Sequence, residues 1–165
     1  MNNIFRNRNL YMKKIVFLLG IFFSLSLSSC LKNAVCKNRT VESEDAEMQN
    51  YASTNGIAAT KHSSGMYYQI INPGSGHAPS YSSVLSVRYT GKLLNGTVFD
   101  SQTTNPVQFQ LGQVIFGWQI GLPLIQKGGV IKMIIPSSLA YGCRSQGNIP
   151  ANSILYFEVE LVDVQ

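Results

Sequence analysis

Histidine is nearly missing from this chain: His62 and His77 are the only two, and both fall in polar, turn-like segments. Neither has a cysteine, carboxylate or second histidine beside it at metal-ligand spacing, so no metal centre is expected. The same scarcity removes the Cys/His and Ser/His pairings of nucleophilic catalysis. Acidic residues are also few, and only Asp100, Glu158, Glu160 and Asp163 follow Gly65. The last three fall in one strand-like run whose alternation turns them outward. No carboxylate pair is left for acid–base work. A Gly-rich phosphate loop and internal repeats are lacking too, and no cofactor is expected. No apolar run reaches the roughly 20 residues that a membrane-spanning helix needs.

Positive charge is present but unevenly placed. Arg6, Arg8, Lys13 and Lys14 open the chain, the apolar run 15–27 follows, and Leu27-Ser28-Ser29-Cys30 closes it. A basic start, a short apolar stretch and small residues before a break form a secretory signal. The tetrapeptide ending at Cys30 is similar to a bacterial lipoprotein signal, in which the cysteine is lipidated and becomes the mature N-terminus. An ordinary cleavage site with an incidental cysteine is the alternative. The expected organisation is a lipoprotein signal peptide over 1–29, a tether with a short helix over 30–62, and one domain over 63–165. The product would be exported and lipid-anchored to a bacterial membrane, facing the periplasm.

Without the first 29 residues, nine Lys and Arg oppose eight Asp and Glu, so the net charge falls from +5 to +1. Nucleic-acid binding leaves a clustered basic face, whereas Arg88, Lys92, Lys127, Lys132 and Arg144 stand singly. No nucleic-acid partner is expected. Beyond Cys30 the cysteines are Cys36 and Cys143. Two free thiols are the first expectation, and a disulfide stays open in an oxidising compartment.

Residues 44–53 read as a helix, with acidic residues early, a thin stripe of Ala46, Met48, Tyr51 and Ala52, and Asn55-Gly56 as a stop. That stripe predicts only loose packing. From Gly65 the pattern turns to strands at 66–71, 84–89, 93–99, 107–111, 130–135 and 154–162. Asn95-Gly96 between alternating runs is a strong hairpin signal. One helix is predicted over 114–127, with Pro123 shortening or distorting it. The fold class is α+β, a mostly antiparallel sheet of about five strands with one short helix packed on it.

Seven pieces carry a family likeness. They are Val87-Arg88-Tyr89-Thr90-Gly91, Val98-Phe99-Asp100-Ser101, Phe109-Gln110-Leu111-Gly112, Val114-Ile115-Phe116-Gly117-Trp118, Ala140-Tyr141-Gly142, Ile149-Pro150, and Leu155-Tyr156-Phe157-Glu158-Val159-Glu160-Leu161. In this order, from about Gly65 onward, they resemble the FKBP-type peptidyl-prolyl cis-trans isomerases. The resemblance implies a curled sheet wrapped on the helix and a hollow where X-Pro bonds rotate. It implies Trp118 as the floor beneath the proline ring, Tyr89, Phe99 and Phe157 as walls, and Val114 and Ile115 as rim, with Phe109 also in contact. Ile149 would offer its backbone N–H and Tyr141 its hydroxyl to substrate carbonyls. Asp100 would orient the Tyr89 hydroxyl and face the twisting carbonyl. For each ring, ordinary core packing is the alternative.

The implied partners are proline-containing peptides and unfolded exported proteins, with macrolide inhibitors such as rapamycin. Three features depart from the family pattern. Val107 follows Pro106 where an aromatic is common, the loop 101–105 lacks an arginine for Asp100, and the loop 143–148 is short. They weaken the macrolide expectation and fit the alternative of a non-catalytic chaperone or peptide-binding module.

Overall fold

Asn95-Gly96 turns the chain as its residue types require. Gly96 takes φ 88°, open to glycine at little cost, and the Leu93 N–H donates to the Thr97 carbonyl at 2.9 Å. The turn joins β3 (Val84–Leu93) to β4 (Val98–Gln110). The computed structural model describes residues 35–165, and the signal-peptide and lipidation expectations, Cys30 included, lie outside them. The remaining strands are β1 (Thr60–Lys61), β2 (Tyr67–Asn72), β5 (Gly129–Ile135) and β6 (Leu155–Val164), and the helices are α1 (Val41–Thr54) and α2 (Phe116–Gly121). The six strands form one sheet in the order β1-β2-β5-β6-β3-β4, with every neighbouring pair antiparallel.

The strand expected at 93–99 divides at the turn: Leu93 ends β3, and Val98 and Phe99 begin one long β4 that also takes in most of the strand expected at 107–111. Pairing runs Val87↔Val107 and then Tyr89↔Gln102, so the residues between, Pro106 among them, bulge out of the ladder. β4 is an edge strand, where a residue without an N–H is tolerated. The helix expected over 114–127 is α2 followed by a 3-10 turn at Leu122–Leu124. Pro123 lacks the N–H that another α-turn would use.

α2 lies close against β5 because Gly117 and Gly121 have no side chain: a Cβ there would run into Ile135 and into the Met133 sulfur. Leu85 and Val87 of β3, and Leu155 and Val159 of β6, alternate inward beneath it and are fully or almost fully buried. Their neighbours Glu158 and Glu160 turn the other way, and Arg88 holds Glu160 at 3.1 Å.

The N-terminal helix departs from the loose packing expected of it. Thr40 caps α1 by accepting from the Ser43 N–H at 3.2 Å. Met48 and Ala52 then bury with Ile57 against Tyr67, Ile134, Ile154 and Tyr156. Those side chains project from the sheet face opposite α2, so the apolar run of β5 is covered on both sides. Asp45 adds polar anchors, accepting from the Tyr67 hydroxyl at 2.9 Å and pairing with Lys61 Nζ at 2.6 Å.

Cys36 and Cys143 are joined in a disulfide with Cα atoms 5.3 Å apart, which overturns the two free thiols. Their separation of 107 residues leaves no local pattern to read; only the tertiary fold brings them together. Beside the bond, the Cys143 N–H donates to Asn38 Oδ1 at 2.8 Å and the Arg39 N–H to Asn152 Oδ1 at 3.2 Å. Residues 36–62 thus belong to the folded unit Cys36–Gln165. Among the described residues no helix is long and apolar enough to cross a membrane.

Candidate active site

Six parts of the chain converge on one cavity. β3 supplies Tyr89, and β4 supplies Phe99, Asp100 and Phe109. The turn before α2 supplies Val114 and Ile115, α2 itself Trp118, β6 Phe157, and the long β5–β6 connection Tyr141. These nine line a single cavity of about 290 Å³, together with Gln113, which nothing in the sequence singled out. Ile149, the tenth residue expected, lines an adjoining hollow with Phe99, Asp100 and Tyr141.

The floor is the indole of Trp118, 5% exposed. Tyr89, Phe157 and Phe109 meet it edge to face, with centroids at 5.2, 5.3 and 5.9 Å. Phe99 meets Phe157 in the same way at 5.5 Å. Such T-shaped contacts favour fixed ring positions over loose stacking. Trp118 Nε1 is buried and has no hydrogen-bond partner among the described residues. Gly91 makes the wall possible, because a Cβ there would stand 2.6 Å from the Phe99 ring and 2.8 Å from that of Phe157. Gln119 steadies the rim by donating from Nε2 to the Val114 carbonyl at 2.7 Å.

The polar groups are few. The Tyr89 hydroxyl donates to Asp100 Oδ2 at 2.5 Å. Burial, and then that bond to Asp100, push the Tyr89 hydroxyl far above its ordinary titration range. Burial and the Asp100 charge also raise Tyr141, which stands at the rim 37% exposed. Both hydroxyls therefore stay protonated at neutral pH. The Ile149 N–H is committed to the Gln146 carbonyl at 2.9 Å, which does not fit the donor role the resemblance gave it. Ile115 is better placed: its carbonyl accepts from Trp118 and Gln119 to begin α2, while no acceptor is paired with its own N–H among the described residues.

No group of three metal-ligating side chains is present among the described residues. A second hollow of about 350 Å³ lies on the other face of the sheet, among Arg88, Lys92, Glu158 and Glu160. There Arg88 and Glu160 pair across strands at 3.1 Å, and Trp118 is not among the residues that line it.

The family model of FKBP-type peptidyl-prolyl cis-trans isomerases matches residues 76–162. This chain belongs to that family. Among FKBP relatives, FkpA of Escherichia coli K12 is 43% identical over 119 residues, covering 71% of this chain and 43% of that protein. A probable FKBP-type isomerase of Haemophilus influenzae is 48% identical over 104 residues, covering 61% of this chain and 43% of its own. The chain thus matches less than half the length of these curated relatives. Among solved structures, the FkpA crystal structure from E. coli superposes with a TM-score of 0.67 at 40% identity, over 76% of this chain and 61% of that one. A peptidyl-prolyl isomerase from Pseudomonas syringae gives 0.64 at 30% identity, over 78% of this chain and 98% of that one. The FKBP fold of curled antiparallel sheet and short helices accords with the architecture expected from sequence.

Proposed function

We propose that this FKBP is a prolyl isomerase acting on proline-containing segments of unfolded exported proteins. The observation that carries the reading is the aromatic cavity around Trp118, lined by two neutral tyrosine hydroxyls, with its one carboxylate, Asp100, held by Tyr89. Rotation about an X-Pro bond needs no proton transfer and no nucleophile. Its barrier of about 18–20 kcal/mol is amide resonance, and unaided exchange takes tens to hundreds of seconds. A planar imide is charge-separated and well solvated, whereas a twisted one has lost much of that separation. A dry aromatic hollow therefore destabilises the planar form more, which is selective stabilisation of the transition state. A rate gain of roughly 10⁵ corresponds to about 7 kcal/mol.

The proline ring would sit on Trp118 between Tyr89, Phe99 and Phe157. The Ile115 N–H and the Tyr141 hydroxyl would hold substrate carbonyls, and Asp100 would fix Tyr89 as a wall and face the carbonyl that turns. A macrolide filling the same hollow would compete. Export is supported by the Cys36–Cys143 bond, since such bonds persist in oxidising compartments. Anchoring to a bacterial membrane would follow from lipid on Cys30, with the domain facing the periplasm.

The testing experiment follows cis-to-trans conversion of Ala-Leu-Pro and Ala-Phe-Pro peptides with the chain at micromolar concentration. Acceleration, lost in Trp118→Ala, is expected. No acceleration would remove the reading, and suppressed aggregation in its place would mark a holding module.

A further inference from the structure

We propose that Glu44, on α1 and outside the cavity, is a positioning residue for Tyr141; the inference rests on the isomerase reading of that site. Glu44 is 0% exposed, and so is its partner Ser137. A carboxylate goes that deep only where donors meet it. The Ser137 N–H donates to Glu44 Oε2 at 2.8 Å and the Ser137 hydroxyl to Oε1 at 2.6 Å, with Arg39 Nε 3.5 Å from Oε1.

Ser137 opens the 3-10 turn Ser137–Leu139, whose preceding residue is Pro136, and the turn has no side-chain cap of its own. Glu44 supplies that cap from 93 residues away. Ser137 is engaged at its carbonyl as well. Its carbonyl accepts the N–H groups of Ala140 at 3.0 Å and Gly142 at 2.8 Å, the two neighbours of Tyr141. A residue held at both its N–H and its hydroxyl by one carboxylate has its orientation fixed, and with it the direction in which its carbonyl points at the two N–H groups. One buried carboxylate therefore fixes the backbone on both sides of the ring whose hydroxyl stands at the cavity rim. The alternative is that Glu44 only stabilises the fold. The two differ in whether its loss is felt through Tyr141.

The test measures kcat/KM on a proline tetrapeptide for the full chain, Glu44→Ala, Glu44→Gln, Tyr141→Phe and Glu44→Ala/Tyr141→Phe, with amide exchange of residues 140–142 in parallel. Glu44→Ala should lose about fivefold with Tyr141 present and under about twofold in the Tyr141→Phe background. Glu44→Gln should restore most of the loss, because its amide oxygen can accept from the Ser137 N–H while its NH₂ donates to the hydroxyl. Equal losses in both backgrounds, an unaltered rate in Glu44→Ala, or a Gln variant as poor as Ala would overturn the proposal. Should Glu44→Ala not fold, Ser137→Ala removes only the 2.6 Å bond and is read by the same criteria. An inactive native chain would sink the isomerase reading instead. Amide exchange then decides the inference: faster in Glu44→Ala and near native in Glu44→Gln supports it, and no difference overturns it.

Discussion

Tyr89 and Asp100 sit on adjacent antiparallel strands, and the phenol of one donates to the carboxylate of the other at 2.5 Å. The bond sets a wall of the cavity in place and keeps its hydroxyl protonated. Hydrogen bonds to charged partners contribute about 1.5–3 kcal/mol. Tyr89→Phe and Asp100→Ala should each lower kcat/KM severalfold, and the double variant should lose clearly less than the two losses combined. A double-mutant cycle on the peptide assay checks this; strict additivity would mean that the pair does not act as a unit.

The indole of Trp118 reports on its own site, because it is the only tryptophan in the chain. Proline peptide should alter its emission, saturably. Trp118→Ala should cost about 3–5 kcal/mol of stability, as large-to-small changes in cores do, measured by denaturant unfolding. Trp118→Phe should retain the fold and part of the activity.

The disulfide closes a sequence separation of 107 residues. Cross-links over long loops typically contribute about 2–4 kcal/mol by restricting the unfolded chain. Cys36→Ser or reduction should lower unfolding stability by about that much and loosen residues 36–40. Proteolysis there, compared with and without reductant, provides the check.

The cavity was largely legible because its parts are short local motifs. Those motifs carry the family resemblance, which implied Tyr89 and Phe99 as walls and Val114 and Ile115 as rim; the hairpin signal alone fixed only the turn. What stayed hidden depends on distant pairs. Glu44 looks like a first-turn acid favouring the helix dipole, and only the fold reveals its bonds to Ser137. Cys36 and Cys143 carry no spacing signal, and the thin stripe of α1 hides that its partners are Tyr67, Ile134 and Tyr156 on the sheet's second face. Strand boundaries blurred at Pro106, where a bulge lets β4 continue past a residue that would end a central strand. The donor role given to Ile149 fell to a turn bond that no composition rule foretells.

Titration should leave activity level between pH 6 and 9, since the cavity's hydroxyls remain protonated there. Tyr89, Tyr141 and Tyr156 are all raised above their ordinary 10.0, each by burial first. The folded chain therefore keeps protons that the unfolded chain gives up above pH 10. Their contribution is complete below that point and fades as pH climbs from it through the folded values. Asp45 and Asp163 are lowered by their lysine partners, so their smaller contribution fades as pH falls below about 4. Thermal melts across pH 3 to 11 check both signs.

Lipid on Cys30 predicts that Cys30→Ala leaves membranes for the soluble fraction, since stable anchoring needs two or more acyl chains. Fractionation reads this directly, and a mutant that still sediments with membranes would count against the anchor.

The most direct measurement compares the catalysed isomerisation rate of one Ala-Phe-Pro peptide in light and heavy water. Acceleration of the same size in both solvents is predicted, because no proton moves as the imide turns. A clearly slower catalysed rate in heavy water, or no catalysis in either, would contradict rotation driven by a dry aromatic cavity.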